Sequence, residues 1–461
     1  MSPEEHHPTF QSQSLLEIPL DVSPEHRQRL QHLDNGEGPR SLQAKFSFYE
    51  LMIETYHDPK VQPYLIVRLA LLAHRMGSRC IALNLCREAQ SLLLSAGVED
   101  PGLDLYIEKL NAMVEEGIQR ALEQARQRFY YQTWKDTRSH RFPTALPFAP
   151  PEADEIRTRW QDLAPPDSEF RAAYLRKLAI ETNHVESVFS LTDESVRDIV
   201  RRGIADGVVE WTEHSCVQDV SQIRAILEDT FAAYEMLTPF IAEPAHLNKQ
   251  AICDVHRRLM QTAGYLESSY IPPGRTRTET RKTVLLSGAY SIEFCPFEEV
   301  DAEVEYICRM AKQWIKSWRN PFATSSWMHL ILGRCHPFDD GNGRISRLFS
   351  SLPLLRYGYP PISISTAQRP DYYTASNKTY EGEHTYFVQF IVDGMKENLD
   401  TVQAILMEKK PPLEGGGGEE VVLTMVEKPG TGLVANGGVS EKEKVDGEVD
   451  GKKEEMVKPM G

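Results

Sequence analysis

The sequence predicts an all-α protein with one small β-hairpin, and three observations carry that reading. Through most of the stretch from Leu42 to Leu406 apolar residues recur at three- and four-residue intervals, the spacing of a helix with one buried face. One patch, TRKTVLLSGAYSIEF from Thr280 to Phe294, alternates instead around a glycine turn, which is the pattern of a hairpin. Prolines cluster between Phe142 and Pro166 and break the helical pattern there, so two helical units should meet near that point.

Taken from the start of the chain, residues 1–40 are rich in Pro, Ser, His and charge without apolar periodicity, and are expected to form a disordered lead-in. Residues 41–135 carry YLIVRLALLAHRM, IALNLCREAQSLLL and LYIEKLNAMVEEGIQRALEQA, amphipathic segments that predict an accessory α-helical bundle. Within it the run from Gly77 through Ala82 and Ala89 to Pro101 resembles a tetratricopeptide unit, whose small residues let two helices pack closely. Residues 136–168 read as a Pro-rich linker, and 169–408 as the second, larger helical unit. Residues 409–461 open with PPLEGGGGEEVV and continue as a Lys/Glu/Gly-rich tail, too polar to offset its ordering entropy, and are expected to be disordered.

Composition narrows the function classes. Against 51 Lys and Arg stand 67 Asp and Glu, a formal charge of −16 over 461 residues, which argues against nucleic acid as the partner. No apolar run is long enough to span a bilayer, and the opening residues MSPEEHHPTF lack a secretory pattern. The expectation is an intracellular protein, cytoplasmic or nuclear, without membrane attachment. Seven cysteines without a CxxC pair do not form a disulfide framework. Cys335 precedes the key motif, but no His/Asn partner pattern supports it as a nucleophile.

That motif is His336-Pro337-Phe338-Asp339-Asp340-Gly341-Asn342-Gly343-Arg344, with Arg347 one turn on. It reads as a loop feeding a helix. Gly341 and Gly343 allow a tight turn and close approach to a ligand, and the free N–H groups of a helix start favour an anion such as phosphate. Asp340 suits Mg²⁺, a hard cation that one or two carboxylates hold together with substrate phosphates. Arg344 and Arg347 lie on neighbouring points of one helix face, where guanidinium forks match phosphate oxygens. His336 has the side chain whose ordinary pKa suits proton abstraction near neutrality. An EF-hand reading of DDGNG fails for want of the bidentate Glu at loop position 12, and a P-loop reading for want of GK[ST].

The segment is similar, at every defined position, to the signature HPFx[D/E]GN[G/K]R of the Fic family, and the resemblance extends through WMHLILGRC upstream and LFSSLPLLRYGYPP downstream, covering about residues 170–400. It implies a Fic helical core and a protein adenylyltransferase that moves AMP from ATP to a Ser, Thr or Tyr hydroxyl. In that role His336 would take the hydroxyl proton, Asp340 would hold Mg²⁺, Asn342 with the backbone of Gly341 and Gly343 would stabilise the α-phosphate, and Arg344 would meet the outer phosphates. Pro273 to Arg277 and the hairpin at 283–288 resemble the family's flap, whose edge would pair with an extended target segment.

A second resemblance concerns control. Thr182-Asn183-His184-Val185-Glu186 matches the start of the family's [S/T]xxxE[G/N] inhibitory motif, implying that Glu186 pairs with Arg347 and spoils ATP geometry. Ser187 and Val188 depart from the usual Gly and Asn. Glu181 is the alternative brake, although Lys177 stands where the Ser or Thr should be. Tyr372 and Tyr373 fall where the family often offers an aromatic near adenine, whereas His329, on the apolar segment SSWMHLIL, reads as a core residue. Removal of AMP, transfer of another nucleotide moiety, and an adaptor built on the N-terminal helices are the alternative functions; homodimerisation is left open.

Overall fold

A computed structural model of the chain describes residues 10–12, 14–34, 42–266, 269–284 and 291–408. The first helices are α1 (Pro24–Asp34), α2 (Leu42–Thr55), α3 (Gln62–Arg75), α4 (Arg79–Ser95) and α5 (Pro101–Arg126). Next come α6 (Ala153–Leu163), α7 (Glu169–Val185), α8 (Asp193–Arg202), α9 (Val220–Glu235), α10 (Thr238–Ala242) and α11 (Lys249–Leu259). After the short strands β1 (Tyr265–Leu266) and β2 (Ser269–Tyr270) follow α12 (Arg277–Thr280), α13 (Val300–Ser317), α14 (Pro321–Cys335), α15 (Asn342–Ser350), α16 (Leu352–Arg356), α17 (Arg369–Tyr380) and α18 (His384–Met407). The protein is all-α, and no helix among the described residues is long and apolar enough to cross a membrane.

Two hydrophobic cores organise these helices. The smaller runs from Leu15 to Ile118 and takes in Phe297 from the larger unit; the larger runs from Ala153 to Ile405. Between Ile118 and Ala153 no residue is counted in either core, and two expectations at the edges need correction.

The lead-in expected to be disordered contains α1 and buries Leu15, Val22 and Leu30 in the smaller core. Its Ser12 and Ser14 hydroxyls donate to Asp100 Oδ2 at 2.5 and 2.8 Å, while Asp100 caps α5 through Leu103 N–H. Gly102 lets the strand approach, because a Cβ there would stand 2.8 Å from Ser12 N. A few apolar anchors and polar bonds, too sparse to show as periodicity, order this segment. The Pro-rich linker is likewise packed down: Trp160 and Ile156 are buried in the larger core, and Phe142 stacks on Trp314 at 4.0 Å between ring centroids.

The hairpin expected at 283–288 falls, from residue 285 on, outside the described residues, as does the tail at 409–461. The strand pair that is described, β1 with β2, lies upstream, where Tyr265 and Tyr270 pack against Phe46 of α2.

At the centre of the larger core stands α14, buried on every side. Pro321 opens it at a position that needs no N–H, and Asn320 Oδ1 accepts from Phe322 and Ala323 N–H. This rigid helix delivers its C-terminus, and the loop 336–341 that follows, to α15.

Candidate active site

His336 ends α14 in the left-handed region, φ 48° and ψ 61°. Arg277, itself buried, holds it there. Its Nε donates to His336 O at 2.6 Å, its Nη2 to Cys295 O at 2.6 Å and Cys335 O at 3.1 Å, and its backbone N–H to Pro337 O at 2.7 Å. The His336 ring lies on Phe294 at 4.0 Å. Burial, with Arg277 and Arg334 nearby, lowers its pKa to about 3 despite a backbone bond to Gly333. The imidazole is therefore neutral at physiological pH and free to accept a proton, but it is a weaker base than its residue type alone suggests, so position must do more of the work.

The loop beyond is tied from inside. Asn342 Oδ1 accepts from Phe338 N–H at 2.9 Å and its Nδ2 donates to Phe338 O at 2.8 Å. Its amide thus ties the loop from inside through both of its polar atoms. Phe338 is fully buried and lies flush on His256, 3.6 Å between centroids and 1° between planes. Gly341 caps α15 at φ 78°, and a Cβ there would stand 3.0 Å from Met260 Sδ and 3.2 Å from His256 Nε2.

Arg344 and Arg347 both lie 1% exposed against α7 and its neighbours. Arg344 Nη1 donates to Asn183 Oδ1 at 3.1 Å, and its Nη2 lies 3.2 Å from Met260 Sδ and 3.9 Å from Asp340 Oδ2. Arg347 Nη2 meets Glu186 Oε1 at 2.6 Å, while Thr182 accepts from Arg347 through Oγ1 at 2.9 Å and through its carbonyl at 3.1 Å. Burial alone would pull the guanidinium of Arg347 down, but the carboxylate of Glu186 and the hydroxyl of Tyr372 more than offset it, so its pKa is raised. Arg344 Nε and Arg347 Nη1 are buried without a hydrogen-bond partner, an arrangement that costs about 1–3 kcal/mol per group unless a ligand supplies the acceptor.

The departures at 187–188 leave this helix end in place. Ser187 N–H bonds to His184 O at 2.9 Å and Val188 N–H to Asn183 O at 3.0 Å, the pair of bonds of a Schellman motif. Ser187 takes the left-handed position, φ 57°, that glycine usually fills. Glu186, one residue earlier, sits over Gly343, where any Cβ would collide with its carboxylate. Glu181 points elsewhere: it pairs with Lys177 and accepts from Ser363 Oγ at 2.7 Å.

Asp340 carries the most exposed acidic group of the loop, its side chain 50% accessible. Among the described residues no three His, Cys, Asp or Glu side chains converge as a metal cage. One open carboxylate beside two arginines fits a Mg²⁺ carried in with a polyphosphate rather than a resident, fully caged ion. Asp339, by contrast, is turned inward, accepts from Thr280 Oγ1 at 2.7 Å and faces Lys282 at 3.6 Å; burial raises its pKa. Cys335 is buried and its thiol is pushed well up, first by its bond to Cys295 and then by burial, which keeps it from acting as a thiolate.

Tyr372 is buried beneath Arg347, 6.0 Å from guanidinium carbon to ring centre, with its hydroxyl 2.8 Å from His329 Nε2. His329 is thus a core residue, as its apolar helix suggests, and Tyr373 is the exposed member of the pair, accepting from Arg369 Nε at 3.0 Å. Sequence reasoning passed over Arg277, His256, Asn183 and Thr182 as functional contacts. Only Thr182 carried a signal, as the first residue of the inhibitory pattern; the others depend on tertiary neighbours that no local spacing reveals.

Residues 246–354 match the model of the Fic/DOC family. The protein adenylyltransferase Fic of Drosophila grimshawi is 27% identical over 172 residues, 36% of this chain and 32% of that protein. Its counterpart in Drosophila persimilis is 39% identical over 93 residues, 19% of this chain and 18% of that protein. The chain therefore spans at most about a third of the length of these curated relatives. A Fic domain containing signaling protein from Bacteroides thetaiotaomicron is 18% identical with a TM-score of 0.44, covering 55% of this chain and 96% of that one. The loop and helix built around His336 lie within the span that is similar to the Fic/DOC family.

Proposed function

We propose that this protein is a protein adenylyltransferase: it transfers AMP from ATP to a hydroxyl of a target protein and is held down by Glu186. The observation that carries the reading is the buried Arg347. Among the described residues its one carboxylate partner is Glu186 at 2.6 Å and its Nη1 has no acceptor, so a polyphosphate can both satisfy that nitrogen and replace the carboxylate.

In the reaction, neutral His336 accepts the proton of the target hydroxyl as its oxygen attacks the α-phosphorus, and the bond to the β-phosphate oxygen breaks to release pyrophosphate. The N–H groups at the start of α15 and the Arg344 guanidinium meet the charge that develops on the phosphates. The negative charge of bound ATP raises the His336 pKa from its low resting value, since an anion favours imidazolium. Mg²⁺ at Asp340 would neutralise phosphate charge when bound. Docking of an extended target segment on the 283–288 flap is part of this reading, supported by the position of that segment between Arg277 and Phe294, both of which touch His336.

The test incubates wild type, Glu186→Gly and His336→Ala/Glu186→Gly with Mg²⁺ and α-labelled ATP. Labelling of the protein or of added lysate is expected to be strong only in Glu186→Gly and lost with His336. If Glu186→Gly stays as silent as the double variant while nucleotide binds, the transferase reading falls, and release of AMP from modified protein becomes the reaction to assay.

A further inference from the structure

Next to the motif, but outside it, His256 is used with both of its ring nitrogens. On α11, it is fully buried; Gly274 N–H lies 2.9 Å from its Nδ1, and its Nε2 lies 3.0 Å from Asp340 O. A backbone N–H can only donate, so Nδ1 carries the lone pair and Nε2 the proton. The neutral tautomer satisfies both partners, and the Gly274 N–H, which needs a lone pair on Nδ1, requires that the ring be neutral.

The bond to Asp340 O fixes a peptide plane. No peptide among the described residues is cis, and across a trans peptide the C=O of one residue and the N–H of the next point in opposite directions. With the Asp340 carbonyl turned in to His256, the Gly341 N–H is turned away from the core. Gly341 has φ 78° and ψ 3°, the values of the second central residue of a type II turn. Rotating that one peptide by half a turn converts type II to type I, moves φ of Gly341 to the negative side and exchanges N–H for C=O. Glycine tolerates either arrangement, so glycine does not choose between them. His256 does.

We propose that His256 is a positioning residue for nucleotide transfer: by holding the Asp340 carbonyl, it keeps the Gly341 N–H presented to the phosphate being transferred. The inference rests on the adenylyltransferase reading. Phe338 completes the device, since its ring lies flat on His256 and keeps the imidazole in the plane of both hydrogen bonds. Without the Nε2 bond the peptide turns over and sets a carbonyl dipole against the phosphate, which weakens the transition state more than the resting complex.

Two variants, each placed in the Glu186→Gly background, separate positioning from packing. His256→Phe keeps a flat ring on Phe338 and removes both nitrogens; His256→Gln gives up the stack but supplies an acceptor and a donor. Labelling with α-labelled ATP is expected to lose on the order of 10²- to 10³-fold in kcat in His256→Phe, the effect of one lost oxyanion donor, with KM for ATP changed by less than about threefold. His256→Gln is expected to regain at least about tenfold of that loss. A purely structural role predicts the reverse order, because Gln disturbs the core more than Phe. Equal kcat in parent and His256→Phe, or Gln no better than Phe, overturns the proposal. If His256→Phe does not fold, a His256→Gln variant more than about a hundredfold below the parent overturns it. A parent that does not label refutes the transferase reading instead; the crystal structure of His256→Phe then decides the peptide question, since an Asp340 carbonyl still facing residue 256 overturns the inference without reference to activity.

Discussion

Replacing Glu186 by glycine should destabilise the empty protein and leave the ATP complex untouched, so the stability lost should equal the affinity for ATP gained. In the resting site Arg347 is 1% exposed and holds three acceptors: Glu186 at 2.6 Å, Thr182 Oγ1 at 2.9 Å and Thr182 O at 3.1 Å. Removing Glu186 leaves the two Thr182 bonds in place, so the loss is that of one hydrogen bond between charged groups, about 1.5–3 kcal/mol. A unit the size of the larger core unfolds with a midpoint that moves about 2–4 °C per kcal/mol, which puts the fall for the empty variant at roughly 3–12 °C.

In the ATP complex the phosphate takes the place of the carboxylate at Arg347, so the variant has nothing further to lose there. By linkage, its affinity for Mg²⁺·ATP should rise by the same energy, roughly 10- to 150-fold. Thermal unfolding of wild type and Glu186→Gly, each with and without saturating Mg²⁺·ATP, measures all four corners of the cycle. The expected result is a wide gap between the empty proteins and near coincidence of the two complexes. If the empty proteins unfold together, or if ATP stabilises both by the same amount, Glu186 and the phosphate do not compete for Arg347 and the proposed brake is wrong.

Two further expectations come from buried groups. His140, His184 and His384 have pKa values lowered to about 4, and His256, His329 and His336 to about 3, chiefly by burial. Unfolded histidines titrate near 6.5, so between pH 6.5 and 3 the unfolded chain binds more protons. Stability is therefore fully present above about pH 6.5 and is lost as pH falls toward 3–4, each group adding a slope of about 1.4 kcal/mol per pH unit. Urea midpoints from pH 7 to 4.5 should fall steeply, and His384→Gln should remove one histidine's share; an unchanged slope speaks against a buried neutral His384. Arg277→Lys should cost about 3 kcal/mol in urea unfolding, because an ammonium cannot span the carbonyls of Cys295, Cys335 and His336 that the guanidinium reaches at 2.6, 3.1 and 2.6 Å. Wild-type stability in that variant would show that Arg277 does not hold the loop.

The motif was legible because its chemistry is local. Two glycines, an aspartate and two arginines at fixed spacing describe a helix start suited to an anion, and in the structure Arg344 lies beside Asp340 and Arg347 beside Glu186. What surrounds the loop was not legible. His256 and Phe338 are 82 positions apart and meet ring on ring; Arg277 reaches the loop from the far side of a segment with its own β-like pattern. The edges were misread for a related reason. Hydropathy patterning detects elements that bury a whole face, whereas the lead-in is held by Leu15, Val22, Leu30 and the capping of Asp100, contacts that leave no period. Asn342 shows the remaining gap: its residue type suits a phosphate, and only the fold shows that its amide also ties the loop through Phe338.

Backbone strain gathers where these parts meet. Among the described residues four other than glycine have positive φ: Asp167, Ser187, Arg281 and His336. Each left-handed residue of this kind costs about 1–2 kcal/mol, and three of the four stand near the site: His336 at the loop entrance, Ser187 just past Glu186, and Arg281 just past α12. Each is held by a partner from elsewhere. Arg277 donates to His336 O; Arg369 Nη1 donates to Ser187 Oγ at 3.3 Å; Arg281 meets Glu115 of α5 at 2.6 Å. Further along the chain Tyr131 N–H donates to Ser291 O and Glu293 N–H to Gln132 O, both at 2.9 Å. The accessory helices therefore meet the larger unit close to the site: α5 holds Arg281, and the residues that follow α5 hold Ser291 and Glu293, next to the Phe294 ring that lies on His336.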